Sequence, residues 1–182
     1  GDMAASASSL IGRPFSDSYL LAFSAEHVAY EIDMFFGMAE VLTRPSVIGA
    51  VSPAEATRLN NALIEVFAIH LRNLIDFLYL ERPQQTDVVA ADFFATGAWE
   101  AAKPPITISL DAARVRANKE VAHLTSKRIA GAPPEKAWDP RALVAEIRPL
   151  LQLVVANAEA TRLSPGVAEA IRCCAFLEWS AP

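Results

Sequence analysis

Arg116 and His123 are the two residues of this chain whose types and spacing best suit chemistry. They lie in RVRANKEVAHLTSKR, residues 114–128, with Asn118, Lys119 and Glu120 between them. On a helix the interval is two turns, about 10 Å of rise, so both side chains leave one face. A guanidinium holds a phosphate through paired N–H bonds, and an imidazole moves a proton near neutral pH. The same residues also describe an ordinary solvated helix face whose basic end complements the helix dipole.

The surrounding charge makes this stretch stand out. The chain has 182 residues, 16 basic and 21 acidic side chains, and a net charge of -5. Residues 111–128 reverse that sign: Arg114, Arg116, Lys119, Lys127 and Arg128 outweigh Asp111 and Glu120, leaving +3. Overall acidity argues against indiscriminate nucleic-acid binding, whereas a local basic face can still meet phosphates. At 53% hydrophobic, with much of the surplus alanine, the chain is built for close helix packing, a large core or a buried oligomer face. The only cysteines, Cys173 and Cys174, are adjacent and therefore poor disulfide partners; reduced, partly buried thiols in a cytoplasmic protein are expected. No apolar run is long enough to span a membrane, and the start lacks the pattern of a secretory signal.

Helix signals position these groups. Residues 16–43 carry Tyr19, Leu20, Phe23, His27, Tyr30, Met34, Met38 and Val41 near a helical period, and Arg44-Pro45 ends the run. Ser52, Pro53 and Glu55 form a capping-box start for a second long helix that should stop before Pro83. Residues 84–105 read as a long connection with a short helical piece near 88–94 and a loop around Ala98-Trp99-Glu100. A third long helix should run from about Ser109 to about Lys127. Asp139-Pro140 opens a helix to about Thr161, where Pro149 is expected to introduce a kink, and Ser164-Pro165 opens a last one to about Trp179. The expected fold is all-α, a bundle of about five to six helices, three of them long. Residues 15–182 form one domain behind a mobile Ala/Ser-rich start at 1–14.

Polar groups interrupt the second long helix. His70, Asn73 and Phe77 share a face, and Arg72 can pair with Asp76 one turn on. Buried polar groups need partners, and the expected ones are Asn118, Glu120 and His123 on the third helix. The cluster then serves either as a register-fixing network or as a cleft that binds substrate. His27, His70 and His123 fall on three different helices and offer a three-histidine metal site, with Glu26, Glu31, Asp33 and Glu120 nearby. No HExxH spacing supports it, and no cofactor is expected. Met34, Phe35, Phe36 and Met38 read as core or dimer packing, and Trp99 and Trp138 as cleft lids or core covers.

Arg116, Asn118 and His123, within the alanine-flanked NKEVAHLTSKR, resemble the motif helix of the HEPN superfamily, with weaker support from RNLIDFLYL. That resemblance implies a dimeric helical bundle and, in catalytic members, a metal-independent endoribonuclease whose motif helices meet across the dimer. It makes Arg116 the holder of the scissile phosphate and His123 the general acid or base for attack by the ribose 2′-hydroxyl. Asn118 would orient either group, with Arg114 and Lys119 on neighbouring phosphates. If the polar cluster of the second helix is a cleft, His70, Arg72 and Asn73 would line its substrate side. The chain departs from the motif at Ala117, where active members place a polar residue. Three functions therefore stand open: RNA binding or cleavage, a non-catalytic structural or protein-interaction module, and a metal-binding bundle using His27, His70 and His123. Homodimerisation is expected as well.

Overall fold

The computed structural model describes residues 15–44, 51–122 and 137–173. The start at 1–14, His123, the side chain of Glu120, Cys174 and the helix end near Trp179 lie outside the described residues. Among the described residues every regular element is helical, and the protein is an all-α bundle. No helix among them is long and apolar enough to cross a membrane.

The first helix runs as α1 (Asp17–Phe23), a π-helical turn (Ser24–Val28) and α2 (Ala29–Thr43). Its buried line is Leu20, Ser24, Val28 and Ile32, continuing to Phe35, Phe36 and Ala39. That is not the face expected from Tyr19, His27 and Tyr30, which are exposed. The reason is geometric. Four residues of ordinary helix advance about 400°, so a residue every four drifts about 40° per step, and a wider turn takes up that drift. The displaced aromatics stack along the outside instead: Phe15 on Tyr19 at 5.2 Å, Tyr19 on Phe23 at 5.9 Å, and Phe23 against His27 at 4.8 Å. Phe35 and Phe36 are core residues, with Phe35 stacked on Phe67 at 5.3 Å.

Ser24 holds the π-turn in place. Its hydroxyl donates to the Leu21 carbonyl at 3.0 Å and accepts from the Ser164 N–H at 2.9 Å. Arg162 locks the same corner, donating to Asp17 Oδ1 at 2.8 Å and the Phe94 carbonyl at 2.8 Å. Hydrogen bonds from Arg162 and then Thr161 hold the Asp17 carboxyl below its ordinary range.

Helix α3 (Pro53–Tyr79) starts at the capping box, with the Ser52 N–H donating to Glu55 Oε2 at 3.0 Å and the Glu55 N–H to Ser52 Oγ at 3.4 Å. Its buried residues all fall in its second half, from Phe67 to Tyr79. That half packs against α2, α5 (Ile108–Ala122) and α6 (Pro140–Asn157). Asp139 caps α6 by accepting from the Ala142 N–H at 3.0 Å. Pro149 sits inside α6 without ending it, on its exposed side, where water can serve the carbonyl that proline leaves unbonded. Helix α7 (Pro165–Cys173) closes the bundle on α2 and α6. Cys173 is exposed rather than partly buried, and its thiol reaches Glu169 at 3.1 Å.

The connection after α3 holds more helix than its composition implies. A 3₁₀ turn (Ala90–Phe93) is fixed by the Val89 N–H donating to the buried Asp92 carboxylate at 2.8 Å. Gly97 then takes a left-handed φ of 78° and starts α4 (Ala98–Ala102) where a loop is expected. Trp99 drives this departure: its ring is 1% exposed, and its indole N–H donates to the Leu78 carbonyl at 3.0 Å. That carbonyl belongs to the last turn of α3, which lacks intrahelical donors. Trp99 therefore covers the core and caps α3. Trp99→Phe leaves the carbonyl short of its donor and should lower unfolding free energy by about 2 kcal/mol, read by denaturant titration.

Candidate functional site

Helix α5 turns Leu110, Ala113 and Ala117 inward, all buried. Their spacing of three and four makes the contact face on α3, and small alanines let the helices approach closely. Ala117 is therefore a core residue here, which accounts for its lack of polarity. The polar residues leave on other sides. Arg114 pairs with Asp111 at 2.6 Å along its own helix. Arg116 donates to the Ala137 carbonyl at 3.0 Å and lays its guanidinium 4.0 Å over the Trp138 ring. Trp138 in turn meets Phe67 nearly at right angles, ring centroids 6.2 Å apart. A shallow depression of about 210 Å³ lies here, with Arg116, Trp138 and Ser109 in its lining. Lys119 is exposed one turn beyond Arg116, and Asn118 is half-buried. With His123 outside the described residues, the site holds one of the two motif residues in view.

The polar cluster of α3 faces the other way. His70 meets Glu31 on α2 at 2.7 Å from Nδ1, and Asn73 donates to the same Oε2 at 3.2 Å. A carboxylate has no proton to give in that contact, so His70 Nδ1–H is the donor. His70 and Asn73 thus meet Glu31 rather than Asn118, which corrects that part of the expectation; His123 and the side chain of Glu120 lie outside the described residues. His70 and Asn73 lie on the flank of α3 that meets α2, although α3 does pack on α5 with its other flank. Tyr30 adds an edge contact to the His70 ring at 5.6 Å. Phe77, on the same stripe as His70 and Asn73, lines a cleft of about 330 Å³ beside them. Among the described residues no group of three His, Cys, Asp or Glu is placed to hold a metal ion. Glu31 is the residue the sequence left in a supporting role, and only its distance from His70 in space shows it as the hub.

Arg72 and Asp76 pair along α3 at 3.5 Å, as their spacing implies. Burial pushes the Asp76 carboxyl above the ordinary 3.8; Arg72 and Arg114 pull it back, and Asp87 adds a smaller push. A raised carboxyl pKa means the folded state holds the proton more tightly, so ionisation costs stability as pH rises through the folded value. Asp76→Asn removes that cost. Its melting temperature should exceed wild type at pH 7, with the gap narrowing on acidification and closing below pH 3.8. A gap that widens in acid would contradict this assignment.

Compared with protein-family models, curated proteins and solved structures, the chain gives no match.

Proposed function

We propose that this chain is an HEPN-like helical domain that engages RNA along the outer face of α5. The observation that carries the reading is the grouping of Arg116, Lys119 and Trp138. A guanidinium and an ammonium one turn apart match the spacing of backbone phosphates, and the guanidinium plane laid over the indole offers its outer side to a base. In the cleavage form, the ribose 2′-oxygen attacks phosphorus, the bond to the 5′-oxygen breaks, and His123 moves the proton. Arg116 stabilises the charge on the phosphoryl oxygens. Arg114, which also pairs with Asp111, would contact a neighbouring phosphate. A homodimer and a cytoplasmic home belong to the same proposal, and light scattering on the purified chain tests the dimer.

Anisotropy titration of labelled single-stranded RNA tests the binding. Affinity should fall with added salt, and Arg116→Ala and Lys119→Ala should each weaken it about three- to tenfold. Lys119 is exposed, so its substitution separates lost charge from lost folding. On denaturing gels, Arg116→Ala or His123→Ala should abolish any cleavage by the wild type. Salt-independent binding, or binding indifferent to both lysine and arginine, ends the RNA reading.

A second reading, a non-catalytic structural or protein-interaction module, is favoured by what Arg116 already does. Its contacts to Ala137 and Trp138 tie α5 to the start of α6. The Glu31, His70 and Asn73 cluster likewise ties α2 to α3. On this reading His70→Ala, which leaves Glu31 without its closest donor, should lower the unfolding free energy by about 2 kcal/mol and leave RNA affinity unchanged.

A further inference from the structure

Between the first helix and α3 lies the cleft of about 330 Å³ that Glu31 opens onto. We propose that it binds a small protonated amine carried on an aromatic or alkyl body. The site lies on the α2 flank of α3, apart from α5, and does not depend on the RNA reading.

The walls are apolar. Phe23 and Val28 come from the first helix, Leu74 and Phe77 from α3, and Val88 from the connection that follows. The volume sits at the low end for small-ligand pockets, which suits a compact body and excludes a nucleotide. Glu31 supplies the charge, and its side chain keeps 27% exposure, so a ligand can reach it. Both N–H donors around it, from His70 and Asn73, converge on one oxygen, Oε2. Its other oxygen makes no hydrogen bond among the described residues, although a carboxylate accepts on both. A ligand therefore meets an acceptor, a negative charge and greasy walls together. An ammonium group satisfies all three; a neutral apolar molecule leaves the charge unanswered, and an anion is repelled.

Two further features prepare the site. His70 and Asn73 hold the carboxylate in one orientation, so a ligand does not meet the entropy cost of ordering it. The π-turn brings Phe23 and His27, 4.8 Å apart, to the rim, and π-turns recur at working sites in helices.

Amide NMR titration of the full chain at pH 7 with phenethylamine, phenethyl alcohol and hydrocinnamate tests the proposal. Phenethylamine should shift the signals of Glu31, Asn73, Leu74 and Val88 saturably, binding about tenfold or more tightly than the alcohol, with hydrocinnamate not binding. Glu31→Gln should reduce the amine to the level of the alcohol while the remaining spectrum stays folded. Val88→Phe fills the cleft with Glu31 intact and should block both ligands, which keeps the question open to test if Glu31→Gln fails to fold. Equal binding of amine and alcohol, undiminished amine binding by either variant, or no saturable shift up to about 10 mM amine overturns the proposal.

Discussion

Residues 67–79 of α3 are enclosed on one side by α2 and on others by α5 and α6, and this enclosure constrains the rest of the molecule. The buried positions of a helix surrounded in this way must be apolar, and from Phe67 to Tyr79 they are, apart from His70, while Arg72, Asn73 and Asp76 sit at less enclosed positions. His70 is the buried polar residue that organises its surroundings. An imidazole 7% exposed needs a partner within reach, and the partner it finds, Glu31, lies on the neighbouring helix. Sliding α2 along α3 by one residue would separate the two and leave a buried donor unmet. Apolar packing accepts several registers at similar energy, while a single polar contact accepts one.

The first half of α3 behaves differently. Between Pro53 and Val66 none of its side chains is buried, so its helicity rests on the capping box and local propensity. The two halves of one continuous helix thus have different sources of stability. The first depends on interactions within a few residues, the second on contacts across the bundle.

That division also explains what could be read from the sequence. Helix starts at Ser52, Asp139 and Ser164 were legible because a cap is a local event, decided by three or four neighbouring residues. The pairing of Arg72 with Asp76 was legible for the same reason. The buried face of the first helix was not, because the π-turn changes the periodicity on which such a reading relies. Nor was α4, whose start depends on the left-handed Gly97 and whose position depends on Trp99 reaching a carbonyl of α3. Glu31 was visible as an acidic residue but not as the hub of the cluster, since 39 positions separate it from His70. Ala117 shows the converse: a small residue within a basic stretch looked like a gap in a motif and is a packing surface.

The π-turn makes the place of a change in length matter as much as the change itself. Losing one residue between Ser24 and Val28 would let the wide turn tighten into ordinary helix, with the segments on either side close to their present register. Losing one from α1 would instead turn everything before it by about 100° and draw it in by about 1.5 Å. Asp17 would then leave both Arg162 and Thr161. The wide turn is therefore the slack in this helix, and the buried Ser24 hydroxyl that meets Ser164 is what holds that slack in one place.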